Sequence, residues 1–212
     1  EPAHKVARMA LISACIAWAA LLLQWPLTII GEMDKGNSLL FSAALFFSYF
    51  TIQSNLLGAL VLSAHAWPQR FSGRRAFLRS PWMTTSAAVS LSITFIVFNV
   101  MLRGTYQLEG IRLLADTLLH VVVPLLVVSL WWRVVPRGAV RVSDIPKIAL
   151  FPLFYLLFYF AWGAVTGRYA YFFMDVATLG YTRSVMGAGA VVVLFAVLAL
   201  GKVFVKRQAL RS

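Results

Sequence analysis

Two short stretches carry side chains suited to acyl-transfer chemistry. The first is Ser48-Tyr49-Phe50-Thr51-Ile52-Gln53-Ser54-Asn55, and the second is Asp116-Thr117-Leu118-Leu119-His120. A threonine hydroxyl becomes a nucleophile only when a base takes its proton. A histidine is the usual base, and a carboxylate can hold its tautomer. Asp116 and His120 are i, i+4 neighbours on a helix and can hydrogen-bond. Ser48, Thr51 and Asn55 fall at i, i+3 and i+7, which predicts one shared helix face. Thr51, His120 and Asp116 therefore form a candidate nucleophile, base and orienter. Asn55 is the candidate oxyanion donor, with Gln53, Ser54 and Asn99 as others. Each feature also has a plainer reading. A membrane threonine commonly bonds its own i−4 carbonyl, here Phe47. Ser, Thr, Asn and Gln often join helices to one another. An Asp–His pair can be purely structural, and Asn99 can serve helix packing. Asp175 is either an ion-pair partner for Arg103, Arg168 or Arg183, or a site acid.

The elements that must position these groups are membrane helices. Of 212 residues, 61% are hydrophobic and 12% are charged, against about 25% charged in ordinary soluble domains. Six apolar segments stand out, at about 6–30, 39–67, 82–102, 111–132, 145–165 and 182–205. Each is long enough to cross a hydrocarbon core of ~30 Å. The expectation is an all-α, polytopic, single-domain bundle over residues 1–212. The first segment is longer than a signal-peptide core and lacks a clear cleavage site, so it reads as a retained helix. Pro124 and Pro152 are expected to kink their helices and free backbone carbonyls. Counting helical rise from Leu39 and from Ile111 puts Thr51 roughly 18 Å and His120 roughly 13 Å deep.

Charge orients the segments. The chain has 19 Lys+Arg and 7 Asp+Glu, a formal charge of +12. Fourteen of the basic residues fall on one side: Lys5, Arg8, Arg70, Arg74, Arg75, Arg79, Arg133, Arg137, Arg141, Lys147, Lys202, Lys206, Arg207 and Arg211. Five fall on the other: Lys35, Arg103, Arg112, Arg168 and Arg183. The positive-inside rule then places both termini in the cytoplasm. Trp67, Trp82, Trp131 and Trp132 anchor the inner ends; Trp25, Tyr106, Tyr169 and Tyr181 anchor the outer ends. The basic loops read as topology determinants and contacts for anionic phospholipids, not as a nucleic-acid site. The aromatic stretch Arg168 to Asp175 reads as an interfacial belt or as a lid over a lipid entry.

The stretch Tyr49 to Asn55 resembles the bacterial branch of the androgen-induced protein family. So do Leu102-Arg103-Gly104, Asp116 to His120 followed by Pro124, and Met174-Asp175-Val176 with Leu179-Gly180-Tyr181. The resemblance runs from the second segment to the start of the sixth. Animal members are integral-membrane hydrolases of fatty acid esters of hydroxy fatty acids. Their catalytic pair is a membrane-embedded Thr and a His. The resemblance implies Thr51 and His120 in those roles, a fatty-acyl ester as substrate, and a multi-pass place in a bacterial inner membrane.

Other chemistries fit less well. The single cysteine, Cys15, excludes an internal disulfide and any cysteine-based metal site. No metal or organic cofactor is needed for Thr/His acyl transfer. His4 and His65 lie near segment ends and read as incidental, and three histidines are too few for a dihaem bundle. A Gly-x-Ser-Gly signature and paired intramembrane aspartates are both missing, which argues against an intramembrane protease. The remaining alternative is a non-enzymatic lipid or solute carrier, or a lipid-binding bundle, whose cavity the polar faces of segments two and four would line.

Overall fold

The computed structural model describes residues 2–105 and 107–208. Tyr106 and Arg211 therefore lie outside the described residues, as does the Arg207 side chain. The protein is all-helical, with no strand among the described residues. Eight helices follow in order: α1 (Pro2–Met33), α2 (Leu39–Ser48), α3 (Phe50–Ala66), α4 (Pro81–Val97), α5 (Gly110–Thr117), α6 (Val123–Val134), α7 (Ile145–Thr166) and α8 (Val176–Gln208). Two five-residue π-helical turns intervene. Phe98–Leu102 extends α4, and Leu118–Val122 joins α5 to α6. Five helical stretches are long and apolar enough to cross a membrane, and six if the bent pair α2–α3 counts as one.

That bent pair departs from expectation. The segment 39–67 is two helices set 72° apart. Tyr49 between them is extended, with φ −80° and ψ 132°. Ser48 therefore does not share a face with Thr51 and Asn55. Its hydroxyl donates back to Leu45 O at 2.7 Å, on the far side of the break.

α4 packs against more than half of the other helices. It contacts α3, α6, α7 and α8. Its buried side chains include Thr84, Thr85, Ser86, Ala87, Ala88 and Ser90. Small residues let helices approach closely where lipid offers no hydrophobic drive to association. Polar side chains then join the elements. Trp131 Nε1 donates to Thr85 Oγ1 (3.0 Å), Ser86 Oγ to Ile148 O (2.8 Å), and Ser54 pairs with Thr94 (2.9 Å). His65, near the end of α3, pairs with Thr84 at 3.2 Å, a bond that ties α3 to α4. Lys206 donates to Trp132 O at 2.6 Å, tying α8 to α6.

The connection between α7 and α8 is wedged into the bundle at two glycines. A Cβ on Gly163 would overlap the Tyr169 ring, and one on Gly187 would overlap the Phe173 carbonyl. Gly163→Ala and Gly187→Ala should each destabilise the fold by about 1–3 kcal/mol, the usual cost of overpacking. A Cβ on Gly189 meets nothing within 4 Å, so Gly189→Ala should leave the melting temperature level or slightly higher. Thermal denaturation of the three variants in detergent checks this.

Candidate active site

The break at Tyr49 frees peptide groups that hydrocarbon cannot solvate, so each needs a protein partner. Phe47 O accepts from Gln53 Nε2 at 2.8 Å. Ser48 O accepts from the Tyr155 hydroxyl at 2.9 Å. The Phe50 N–H donates to the Tyr171 hydroxyl at 3.1 Å. Tyr155 comes from α7 and Tyr171 from the α7–α8 connection. The break thus creates a new helix N-terminus inside the bundle, with Thr51 in its first turn. Phe47 O, the carbonyl a membrane threonine usually takes, is already bonded to Gln53. The Thr51 hydroxyl turns to His120 instead, with Oγ1 3.2 Å from Nε2.

His120 sits in the π turn Leu118–Val122, and Pro124 accounts for that turn. Pro124 has no N–H, and its ring cannot follow a regular turn without a clash. The Val123 N–H bonds Leu118 O, one residue further back than in an α-helix. Leu119 O is thereby left without a backbone donor from either Val123 or Pro124. Asn55 fills the gap: its Nδ2 donates to Leu119 O at 3.1 Å and to Thr51 O at 2.7 Å. The amide expected to serve as oxyanion donor is therefore spent on the backbone. It clamps the Thr51 turn to the His120 turn, and Asn55 is fully buried.

The imidazole is held on three sides. Nδ1 lies 3.0 Å from Asp116 Oδ1 and 3.0 Å from the Asp116 carbonyl. Two acceptors at Nδ1 favour a proton there, which leaves the Nε2 lone pair to accept from Thr51. The ring stacks on Phe98, centroids 3.9 Å apart at 12°. Phe98 begins the other π turn, so both π turns serve one imidazole. Such turns inside α-helices are frequent at functional sites.

Two other residues named from the sequence stand elsewhere. Asn99 donates to Phe95 O at 2.8 Å and accepts from Arg103 at 2.8 Å. It lines neither cavity at the Thr51–His120 pair. The Asp175 carboxylate caps the start of α8, accepting from Ala177 N at 2.8 Å. No ion pair joins it to Arg103, Arg168 or Arg183 among the described residues; Arg168 approaches Glu32 at 3.9 Å.

The Thr51–His120 pair stands where two cavities meet. One is apolar and bounded by Ile93, Val97, Leu153, Leu156, Val192 and Phe195 among others. Leu153 and Val192 are also 47% and 40% exposed, which puts its mouth between α7 and α8. The other is the more polar of the two and reaches Gln24, Thr28, Glu32, Lys35, Arg112 and Asp116. Thr51, Leu102, His120 and Tyr171 line both.

The sequence does not single out Tyr155 or Phe98, and it marks Tyr171 only as part of the aromatic stretch Arg168 to Asp175. Aromatic residues are common throughout the chain, and nothing in their spacing marks these three. The Asn55 clamp makes a stability prediction. Asn55→Ala leaves the Leu119 carbonyl buried without a donor, at a cost of about 1–3 kcal/mol. A matching drop in melting temperature, with Asn99→Ala as the milder comparison, checks it.

Compared with family models, with curated proteins and with solved structures, the chain matches none.

Proposed function

We propose that the protein is an integral-membrane hydrolase of lipid esters, with Thr51 as nucleophile and His120 as base. The observation that carries this reading is the Thr51–His120 hydrogen bond at the junction of an apolar and a polar cavity. A bundle built only for packing would have little reason to keep such a pair open on both sides. The resemblance to the androgen-induced protein family points the same way and suggests fatty acid esters of hydroxy fatty acids as substrates.

The steps follow from the geometry. The acyl chain lies in the apolar cavity, entering between α7 and α8. Thr51 Oγ1 attacks the ester carbonyl carbon as His120 Nε2 takes its proton. Asp116 steadies the imidazolium that results. Charge gathers on the carbonyl oxygen. The Thr51 N–H lies in the first turn of α3, at the positive end of that helix. The Tyr171 hydroxyl lies beside it. Burial pushes that phenol up to about 12, against the opposing pull of hydrogen bonds from Tyr155, the Phe50 N–H and Thr51. Tyr171 therefore keeps its proton and serves as the second oxyanion donor. His120 returns its proton to the leaving alkoxide as the C–O bond breaks. Water from the polar cavity then attacks the acyl-threonine, giving its proton to His120. The acid departs, and the proton returns to Thr51.

Purified protein in detergent should hydrolyse a model aryl ester. Thr51→Ala and His120→Ala should reduce turnover to background while melting as cooperatively as the wild type. Tyr171→Phe should lower kcat by about 10²-fold, the usual effect of losing one oxyanion donor. Absence of wild-type turnover would leave a carrier as the better reading.

The orientation belongs to the same proposal: both termini in the cytoplasm of a bacterial inner membrane, supported by fourteen basic residues against five. The polar cavity then opens outward. A carboxy-terminal green fluorescent protein fusion should fluoresce and an alkaline phosphatase fusion should be inactive. The reverse pattern would invert the topology.

A further inference from the structure

The apolar cavity at Thr51 has a mouth as well as walls. Of the residues that line it, only Leu153 on α7 and Val192 on α8 are exposed, while Ile93, Phe98, Tyr155 and Phe195 are buried. Both exposed residues are apolar, so in a bilayer the gap between α7 and α8 meets hydrocarbon and not water. The distance from this mouth to the reacting pair follows from the helix register. Ser86 Oγ on α4 donates to Ile148 O on α7. Further along both helices, the cavity is lined by positions between 93 and 102 after the start of α4 and between 152 and 156 on α7. The two helices therefore run side by side in one direction. Five residues past the Ser86–Ile148 bond, Leu153 is level with position 91. Phe98, whose ring stacks on His120, is seven residues further on, about 10 Å by helical rise or roughly eight methylenes of an extended chain.

We infer that Leu153 and Val192 set the acyl-chain preference of the site: about the first eight carbons are held inside, and the rest of a longer chain leaves between α7 and α8 and stays in the bilayer. This rests on the acyl-transfer reading above, although its binding half is independent of catalysis. Lipid tails are as apolar as the leucines of a bundle, so a methylene that remains in the bilayer neither gains nor loses by lying beyond the mouth. A methylene inside the cavity gains dispersion contacts that an empty space forfeits. Chains too short to reach the mouth therefore leave contacts unmade. Chains long enough to pass it gain nothing more. A butyryl group stops well inside, an octanoyl group fills the cavity, and lauroyl and palmitoyl groups extend past Leu153 and Val192.

The test uses full-length protein in mixed micelles of a neutral detergent, with nitrophenyl butyrate, octanoate, laurate and palmitate at one mole fraction. Wild-type turnover should rise from butyrate to octanoate and stay level to palmitate. The double variant Leu153→Trp, Val192→Trp narrows the mouth, and its palmitate-to-butyrate ratio should fall about tenfold or more, as when a group no longer fits an apolar pocket. Leu157→Trp and Val193→Trp alter exposed positions on the same helices that do not line the cavity, and should keep the wild-type ratio. Turnover that keeps rising to palmitate or collapses beyond octanoate in wild type, or a ratio that the double variant leaves unchanged, overturns the inference. A second arm needs no turnover and no variant. Methyl stearate with a nitroxide near its carboxyl end should be motionally restricted by wild type, relative to protein-free micelles, and the same lipid labelled near its methyl end should not. Equal restriction of both labels, or of neither, overturns the inference. The expected pair of spectra from protein without turnover would uphold the chain path and sink only the hydrolase reading.

Discussion

A peptide group in hydrocarbon must be hydrogen-bonded, and one break in one helix makes that rule organise this protein. At Tyr49 the chain leaves helical geometry for a single residue. Three groups lose their partners, and three side chains answer: Gln53 from the following turn, Tyr155 from α7 and Tyr171 from the α7–α8 connection. Two of the three come from more than a hundred residues away. The break therefore exists only in the assembled bundle, and it fixes where α7 and its loop must lie. It also turns the middle of the apolar stretch 39–66 into a helix start, which is where Thr51 stands.

A second backbone irregularity meets the first. Pro124 forces a π turn, the turn strands the Leu119 carbonyl, and Asn55 supplies the missing donor while holding the Thr51 carbonyl. One amide thus sets the distance between the threonine turn and the histidine turn. Phe98 from the other π turn fixes the plane of the ring. Positions within a helix resist movement more than positions on a loop do, so two distorted helices facing each other make a firm mount for a hydroxyl–imidazole pair. The loop carrying Tyr171 gains comparable rigidity by filling the spaces at Gly163 and Gly187.

Much of this could be read in the sequence, and the limit has a physical cause. Apolar length showed where the long helices run, because a stretch apolar enough to enter hydrocarbon must form its backbone hydrogen bonds within itself. Polarity singled out Thr51, Asp116 and His120, because an unneeded polar group in lipid is costly. The break at Tyr49 left no trace: neither proline nor glycine is there, and its causes lie in Tyr155 and Tyr171. A shared face for Ser48, Thr51 and Asn55 followed from regular periodicity and failed for the same reason. Asn55 was assigned to chemistry because its place on the helix looked right. The backbone carbonyl that occupies it is visible only once Pro124 has reshaped the opposing helix. Asp175 likewise reads as an ion-pair partner or a site acid until the start of α8 appears beside it.

In the proposed reaction Thr51 becomes covalently attached to an acyl group, and His120 makes this possible. Peptide mapping by mass spectrometry after treatment with a fluorophosphonate, whose phosphorus imitates the ester carbonyl, tests it most directly. A single phosphonate adduct is expected on Thr51 in the wild type and none on Thr51 in folded His120→Ala protein. An adduct on another hydroxyl, or one on Thr51 that forms equally well without His120, would contradict it.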